Sequence, residues 1–242
     1  MQEIIKKVQL SEIFTSIEGE GILFGTKTMF IRLAGCHLKC RWCDTAYALP
    51  LNSGLSYDIS EVKDLITERM QPNTYKVNFT GGEPLLQYQA VRELTKFVKE
   101  KGVRTYIESS CFDSNRFEKV LPYVDFCKIE FKMKDSNVID PAHYENLIEN
   151  EKECLNLAID TRKVTYIKIV VTRSSSLQEF KELVQSQLKN VKAVDLAGFI
   201  IQPSYGIDHP TVERLLDFYD AVYPLYPEVR IIPQLHKEIG AR

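Results

Sequence analysis

Short apolar runs alternate along the chain with segments whose apolar residues recur every three or four positions. The runs are rich in β-branched and aromatic residues and predict strands at 28–33, 76–79, 104–107, 125–131, 165–171, 199–202 and 229–232. The periodic segments predict amphipathic helices between the strands. Four of these helices carry boundary signals: Ser60, Ser176 with Glu179 in a capping box, and Pro210 at three beginnings, and Gly102 at one end.

Strands that alternate with helices predict a parallel sheet covered by helices. The right-handed crossover of such units favours closure into an open barrel, and about six repeats fall short of the eight of a complete barrel. We therefore predict an α/β fold, a partial (β/α)6 barrel, as a single domain over residues 1–242. A doubly wound sheet fits the same pattern. The acidic stretch 132–163 has little periodicity and is interpreted as a variable surface insertion.

Polar residues follow the predicted strands, at the edge where parallel α/β folds collect their chemistry. In chain order they are Cys36, Cys40 and Cys43, residues 80–84, Glu108 with Ser109 and Ser110, residues 130–132, Lys168, and Gln202 with Pro203 and Ser204. Each has a plainer explanation alone: Gly81-Gly82 is a common turn, Glu108 is an ordinary charge at a strand end, and Lys168 can snorkel to the rim. Their shared position favours one common site.

Three cysteines stand in the spacing C-x3-C-x2-C, directly before Asp44 and Thr45. A tetrahedral zinc site needs a fourth ligand. The other three cysteines are isolated, which gives a four-cysteine zinc site little support, and His37 is awkwardly close to Cys36 for both to bind one ion. Three thiolates suit a four-iron cluster that leaves one iron open. A structural metal site and coincidental buried thiols are the two plainer explanations of the same spacing.

Composition narrows the class of protein. The 242 residues are 44% hydrophobic and 26% charged, which suffices for one sizeable core. The formal net charge is −2 with both signs mixed along the chain, so we expect no nucleic-acid partner. The first ten residues lack the apolar core of a signal peptide, and no apolar run reaches the length of a membrane span. Six cysteines, three of them clustered, favour a reducing cytoplasm over a disulfide framework.

The cysteine loop, with Gly81 and Gly82 after the next strand, resembles the signature of radical S-adenosylmethionine enzymes. The resemblance implies their partial barrel, a [4Fe-4S] cluster on Cys36, Cys40 and Cys43, and S-adenosylmethionine on the open iron, where its reductive cleavage gives a 5′-deoxyadenosyl radical. Glycines let the backbone approach a ligand and expose N–H and C=O groups to it. The resemblance implies that this ligand is the methionine part of the cofactor. A phosphate loop is disfavoured because no G-x4-G-K-[ST] occurs.

Further segments extend the resemblance along the chain: 12–21 (EIFTSIEGEG), 32–36 (RLAGC), 43–45 (CDT), 80–84 (TGGEP) and 233–237 (PQLHK). Together they resemble the 7-carboxy-7-deazaguanine synthase family, and only 132–163 is unlike it. That family is a group of lyases that convert 6-carboxy-5,6,7,8-tetrahydropterin to 7-carboxy-7-deazaguanine with loss of ammonia, on the route to queuosine and other deazapurines. The resemblance implies a need for the cluster, S-adenosylmethionine and Mg²⁺, an electron donor such as flavodoxin or ferredoxin, and a homodimer.

The resemblance also implies roles for individual residues. The substrate-binding set is Ile17, Glu18, Gly19, Glu20, Arg32, Thr80 and Arg242. Arg32 would pair with the substrate carboxylate through its forked guanidinium, Arg242 would present the final carboxylate of the chain, and Thr45 would give its hydroxyl to Mg²⁺. The cofactor-binding set is Trp42, Cys43, Asp44, Gly82, Glu108, Ser109, Ser110, Glu130, Phe131, Lys132, Lys168, Gln202, Pro203, Ser204 and Tyr205.

Three segments depart from the family pattern. Glu18 stands where the family more often has Gln, which places a negative charge near the pterin. Residues 109–111 (SSC) replace a Thr-Asn-Gly segment, and 130–132 (EFK) replace a Ser-Pro-Lys type of segment. These departures leave room for a relative with an altered substrate. Three further classes of protein stay open: an activase of a glycyl-radical enzyme, which would share the cysteine loop, a non-enzymatic electron carrier, and a zinc-stabilised binding module.

Overall fold

A computed structural model describes residues 7–136 and 139–241, and its main feature is one nine-stranded sheet. The strands are β1 (Lys7–Ile17), β2 (Lys27–Leu33), β3 (Leu55–Asp58), β4 (Lys76–Gly81), β5 (Arg104–Glu108), β6 (Phe126–Glu130), β7 (Val164–Val171), β8 (Gly198–Pro203) and β9 (Val229–Ile231). The helices are α1 (Ile59–Arg69), α2 (Tyr88–Glu100), α3 (Ser114–Val120), α4 (Tyr144–Asp160), α5 (Leu177–Leu188), α6 (Val212–Val222) and α7 (Leu235–Glu238).

The sheet is an open partial barrel with the strand order β3-β1-β2-β4-β5-β6-β7-β8-β9. Every pair from β2 to β9 is parallel, and helices α1 to α6 follow β2 and β4 to β8 in turn. These six strand–helix units and a final strand confirm the predicted partial (β/α)6 barrel. None of the helices in the described ranges, 7–136 and 139–241, is long and apolar enough to cross a membrane.

Strand β1 was not predicted from the hydrophobic pattern. It pairs antiparallel with both β2 and β3, and its register shifts between Leu10 and Glu12. A bulge of this kind adds one residue to a strand and interrupts the two-residue alternation that reveals strands in a sequence.

The interpretation of 132–163 as a surface insertion is wrong for its helical part. Helix α4 connects β6 to β7 and buries Leu147, Glu151, Cys154, Leu155 and Ala158. It is the crossover helix of the fourth strand–helix unit. The many acidic residues on its exposed face made the periodicity of its buried apolar face difficult to recognise in the sequence. The first helix also begins differently from the prediction, because Asp58 and not Ser60 caps it, with Glu61 accepting from the Asp58 N–H at 2.7 Å.

The alternation of side chains along the strands separates two layers of core. Odd-numbered residues such as Cys127, Ile129 and Ile167 pack against the helices in the larger core cluster. Even-numbered residues face the barrel interior, where a second cluster of Leu23, Tyr106, Phe126, Tyr166, Ile200 and Ile232 forms an apolar floor. The polar even-numbered residues lie two positions closer to the carboxyl ends of the same strands. They therefore lie between the apolar floor and the carboxyl edge of the sheet.

Candidate active site

The carboxyl ends of the strands surround a cavity of about 410 Å³. The predicted residues that line it are Ile17, Glu18, Gly19, Glu20, Arg32, Cys36, Cys40, Trp42, Cys43, Asp44, Thr45, Thr80, Gly82, Glu108, Ser109, Ser110, Glu130, Lys132, Lys168 and Gln202. The structure therefore brings together residues that are more than 180 positions apart in the chain. Which ligand each of them contacts stays a prediction.

Four predicted cofactor residues do not line the cavity. Phe131 follows Glu130, so its side chain points to the opposite face and is buried among the residues between sheet and helices. Pro203 follows Gln202 in the same way, the Ser204 hydroxyl donates to the Ile207 carbonyl at 2.8 Å, and Tyr205 is exposed. Arg242 lies outside the described residues.

The cysteine loop is held by backbone hydrogen bonds at both ends. Gly35 and Cys36 donate their N–H groups to the carbonyls of Ala48 and Leu49, each at 2.9 Å, and Cys43 N–H donates to the Cys40 carbonyl at 3.1 Å. All three sulfurs border the cavity as free thiols. Across the described part of the chain no three His, Cys, Asp or Glu side chains converge on a single-ion site. The ligands of a four-iron cluster bind different iron atoms, so they need not converge in this way.

Burial makes two of these thiols, Cys36 and Cys40, poor acids in the protein alone. It raises the pKa of Cys36 to about 12 and also raises the pKa of Cys40. Iron is the partner that stabilises thiolates in such surroundings, because a bound metal cation deprotonates its thiol ligands. Three half-buried thiols on one cavity wall fit a cluster that keeps one face open to a ligand.

Gly81 and Gly82 bring the end of β4 against the cysteine loop. A Cβ on Gly82 would lie 2.4 Å from the Gly35 carbonyl oxygen, and one on Gly81 would lie 2.2 Å from that of Leu33. The N–H groups of Gly82 and Glu83 donate to those same Leu33 and Gly35 carbonyls at 3.1 and 2.8 Å. The Gly82 N–H is therefore used within the protein, so the expectation that this N–H is exposed to a ligand is wrong, whereas contact through the carbonyl groups stays a prediction. The glycines also allow close packing of the backbone.

Glu83 belongs to the predicted strand-end segment 80–84, but the sequence analysis assigned it no role of its own; it is buried and accepts several hydrogen bonds. Its Oε1 accepts from the Ser109 hydroxyl at 2.7 Å and from Leu85 N–H at 2.8 Å, and its Oε2 accepts from both the N–H and the hydroxyl of Ser110 at 2.7 Å. The hydroxyls of Ser109 and Ser110 thus both donate to Glu83. This carboxylate fixes the turn after β5 at the cavity edge.

A row of opposite charges crosses the other side of the cavity. Glu130 lies 2.8 Å from Lys128 Nζ and 3.0 Å from Lys168 Nζ, and it also pairs with Lys132. Lys168 reaches Glu20 at 2.6 Å. Burial opposes ionisation of Glu130, but the three lysine charges outweigh it and hold its pKa well below the usual range. Glu130 therefore stays ionised at neutral pH and forms the centre of a charged wall of the cavity.

The short helix α7 covers part of the cavity mouth. Leu235 N–H donates to the Gly19 carbonyl at 2.9 Å, and His236 and Lys237 approach the Asp44 carboxylate at 3.4 and 3.3 Å. Burial opposes ionisation of Asp44, but the His236 hydrogen bond and the Lys237 charge hold its pKa well below the usual range. The carboxyl-terminal segment is therefore tied to the cysteine loop.

Comparison with known proteins identifies the family. A family model described as a 4Fe-4S single cluster domain matches residues 17–141, which is more than half of the chain. The 7-carboxy-7-deazaguanine synthase of Methanospirillum hungatei JF-1 is 30% identical over 233 residues, which cover 96% of this chain and 86% of that one. The chain belongs to the 7-carboxy-7-deazaguanine synthase family.

Other members of the 7-carboxy-7-deazaguanine synthase family extend the match. The synthase of Methanocaldococcus jannaschii is 29% identical over 245 residues, which cover 96% of this chain and 99% of the relative. The crystal structure of QueE from Escherichia coli has a TM-score of 0.65 at 18% identity and covers 95% of each chain. The second comparison concerns the fold, and it agrees with the open partial barrel described above.

Some residues of this 7-carboxy-7-deazaguanine synthase family member were missed as site residues by sequence reasoning. Besides Gly81 and Glu83 of the predicted strand-end segment 80–84, the cavity is also lined by Glu12, Phe14, Phe30, Leu38, Tyr47, Lys128, Val170, Gln234, His236, Lys237 and Ala241. Below it, Lys76 and Asn78 are buried on β4. The sequence did contain a signal for these residues. Lys76, Asn78 and Lys128 are polar residues in otherwise apolar strands, and they stand two or four positions before Thr80 or Glu130, on the same face of the strand.

Proposed function

We propose that the chain is a radical S-adenosylmethionine lyase that converts 6-carboxy-5,6,7,8-tetrahydropterin to 7-carboxy-7-deazaguanine with loss of ammonia, in queuosine or related deazapurine biosynthesis. One observation carries the proposal: three free cysteines share a cavity with a charged wall suited to a zwitterionic cofactor, in a chain that belongs to the synthase family. The reaction needs both cysteine ligands for a cluster and a polar pocket, and the cavity offers both.

The cofactor residues divide into two groups. Cys36, Cys40 and Cys43 would hold the [4Fe-4S] cluster, which together with bound S-adenosylmethionine would supply the radical chemistry for the pterin substrate. The row formed by Glu130 and its lysines would meet the charged and polar groups of S-adenosylmethionine. The Glu83 turn would fix Ser109 and Ser110 beside them. The apolar floor of the barrel prevents bulk water from entering the cavity from the amino-terminal side of the strands.

Arg32 is the proposed partner of the substrate carboxylate. Its Nε donates to Glu12 at 2.8 Å, and its guanidinium carbon lies 5.8 Å from the centre of the Phe14 ring. These contacts hold the guanidinium plane at the cavity wall. Arg32→Lys keeps the charge but loses the fork, so we expect the KM for the substrate to rise about 10- to 100-fold with a smaller change in kcat. Steady-state kinetics of Arg32→Lys test this prediction, with Arg69→Lys, which lies outside the cavity, as the control. Equal KM values in the wild type and Arg32→Lys would show that Arg32 does not bind the substrate carboxylate.

Thr45 is the proposed Mg²⁺ ligand from the protein. Its hydroxyl lies at the cavity wall, 3.7 Å from the Cys43 sulfur. A hydroxyl is a suitable ligand for this hard cation. We expect Thr45→Val to raise the Mg²⁺ concentration needed for half-maximal activity by at least about 10-fold, while Thr45→Ser stays near the wild type. An unchanged Mg²⁺ requirement in Thr45→Val would exclude Thr45 as a ligand.

The proposal includes a protein electron donor such as flavodoxin or ferredoxin. Lys39 and Arg41 flank Cys40 and are exposed, so the loop offers positive charge to an acidic carrier close to the cluster ligands. A cytoplasmic location is proposed because all six cysteines are unpaired. A homodimer is proposed from the family resemblance, and the exposed apolar residues Val212 and Leu216 of α6, with Tyr223 directly after it, are a candidate face.

The test of the proposed function is anaerobic reconstitution with iron and sulfide. The reconstituted protein is incubated with 6-carboxytetrahydropterin, S-adenosylmethionine, Mg²⁺ and a reductant, and the products are analysed by mass spectrometry. We expect 7-carboxy-7-deazaguanine and ammonia in equal amounts. Formation of 5′-deoxyadenosine from S-adenosylmethionine without any change of the pterin would point to a radical enzyme for another substrate.

A further inference from the structure

Glu18 forms a buried ion pair beneath the cavity. Its Oε2 lies 2.6 Å from Lys76 Nζ, and the side chains of Lys76 and Glu18 are 0% and 4% exposed. Lys76 also donates to the Thr28 hydroxyl at 2.6 Å and lies 4.9 Å from the centre of the Tyr106 ring. A lysine this deeply buried is retained only when its charge is matched, and Glu18 is the carboxylate within hydrogen-bond distance.

Asn78 joins this pair to a second carboxylate. Its Nδ2 donates to Glu18 Oε2 at 3.4 Å and to Glu108 Oε2 at 2.9 Å, while its own Oδ1 is buried and finds no hydrogen-bond partner within the described part of the chain. An amide that leaves its carbonyl unpaired to place its NH2 group between two carboxyl groups indicates that both act as acceptors.

The two oxygens of Glu18 are used unequally. Oε2 accepts from both Lys76 and Asn78, whereas the hydrogen bonds found among the described residues leave Oε1 unused. Glu18 also lines the cavity. Oε1 is therefore the oxygen with which this buried carboxylate meets a ligand, and it can only accept an N–H or O–H group while it is ionised.

The charge balance around Glu18 depends on Lys76. The charged or titratable groups that act on it are Lys76 from β4, Glu108 from β5 and Glu20 from the segment after β1. Two of these three are carboxylates, and Lys76 is the one that favours a negative charge at position 18. A neutral glutamine at this position would not need a buried cation.

We propose that Lys76 is a specificity-determining positioning residue, which allows Glu18 to serve as a charged acceptor for the N–H donors at the 2-amino edge of a heterocyclic substrate. The inference rests on the proposed function, because it assigns how that substrate class is recognised. A charged acceptor rejects a 2-oxo analogue more strongly than an amide does, since an amide can rotate and donate its NH2 group to the oxygen.

The pair also gives ligand binding a defined pH dependence. Burial, opposed by Lys76, raises the pKa of Glu18 to about 7. Below that pH the carboxyl group of the free protein is protonated and must lose its proton to accept two N–H donors. Affinity should therefore rise with pH up to about 7, by at most tenfold per unit, and become level above it.

The test is equilibrium binding to the cluster-loaded protein without S-adenosylmethionine, so that turnover plays no part. The ligands are 6-carboxypterin and 6-carboxylumazine, which carry an amino group and an oxygen at position 2. We expect the wild type to prefer the pterin by about 100-fold at pH 8, with the pH dependence given above. Lys76→Met should reduce this preference to less than about 10-fold and shift the rise in affinity to higher pH.

The double variant Glu18→Gln with Lys76→Met replaces both charged residues by neutral ones. It provides a second test in case Lys76→Met alone does not fold. We expect it to bind the pterin with an affinity that does not vary between pH 6 and 8 and to discriminate less than the wild type. Lys27→Met, beside Thr28 but with an exposed ammonium group, is the control and should behave as the wild type. A wild-type affinity independent of pH, or an unchanged preference in the double variant, would overturn the inference. If the wild type binds neither compound, the proposed function itself fails.

Discussion

Replacing Cys40 by alanine is expected to leave a folded protein that holds no four-iron cluster and forms no product. The loop that carries Cys40 is fixed by backbone hydrogen bonds at Gly35, Cys36 and Cys43, and these do not use the Cys40 side chain. The substitution removes one of three cluster ligands and leaves the loop fold in place. We expect the brown absorbance of the reconstituted protein and all product to disappear, while the thermal unfolding midpoint of the unreconstituted protein changes little.

Cys127→Ala is the matched control for this experiment. Cys127 is fully buried on the helix-facing side of β6, far from the loop in sequence, and does not line the cavity. Its removal should cost about 1 kcal/mol of stability and leave the cluster and its turnover intact. Loss of the cluster in Cys127→Ala, or its retention in Cys40→Ala, would contradict the assignment of ligands.

Replacing Glu130 by glutamine is expected to produce the largest loss of stability among the cavity residues. Glu130 is 5% exposed and is the shared partner of Lys128, Lys132 and Lys168. Removing one member of a buried ionic group leaves uncompensated charge and costs about 3 to 5 kcal/mol. For a chain of this size that corresponds to a fall of roughly 10 °C in the melting temperature.

The same variant should also change the pH dependence of stability. A carboxyl group whose pKa is depressed in the folded state stabilises the protein above its unfolded pKa, and that contribution is lost as the pH falls. The wild type should therefore lose stability below about pH 4.5 partly through Glu130, and Glu130→Gln should show a shallower loss. Glu228→Gln, at an exposed ion pair with Arg230, is the control and should stay within about 0.5 kcal/mol of the wild type. An equally stable Glu130→Gln would show that the lysines do not need this carboxylate.

The barrel was predictable because its parallel strands are short, apolar and regularly separated by amphipathic helices. The exceptions have physical causes. The bulge at Leu10 to Glu12 disguised β1, and the acidic exposed face of α4 disguised the helix that covers β6 and β7. Periodicity arguments detect regular alternation, so they fail where a strand gains a residue or a buried face is narrow.

The cysteine loop and the strand-end residues were also predictable, because their spacing and position carry the signal. The partners that orient them were not. Glu83 holds Ser109 and Ser110, Lys76 matches Glu18, and Gln234 donates to Glu20 at 2.5 Å from the far end of the chain. Such pairings join residues 26 to 214 positions apart, and a single sequence contains no record of which distant side chains meet.

The Gly81–Gly82 pair shows how a motif and its physical role can separate. Its sequence indicated a backbone open to a ligand, but the N–H of Gly82 is used by Leu33, and the absence of Cβ atoms allows the cysteine loop to pack against β4. Any contact with a cofactor at this turn would then have to use other groups than this N–H.

The central claim is that Cys36, Cys40 and Cys43 hold a four-iron cluster with one iron open to S-adenosylmethionine. Electron paramagnetic resonance of the reconstituted, reduced protein, recorded with and without S-adenosylmethionine, tests it most directly. We expect a signal from a reduced [4Fe-4S] cluster that changes shape when the cofactor is added and that is absent in Cys40→Ala. A protein that binds one zinc ion per chain and gives no iron–sulfur signal, or a cluster signal that S-adenosylmethionine leaves unchanged, would contradict the account.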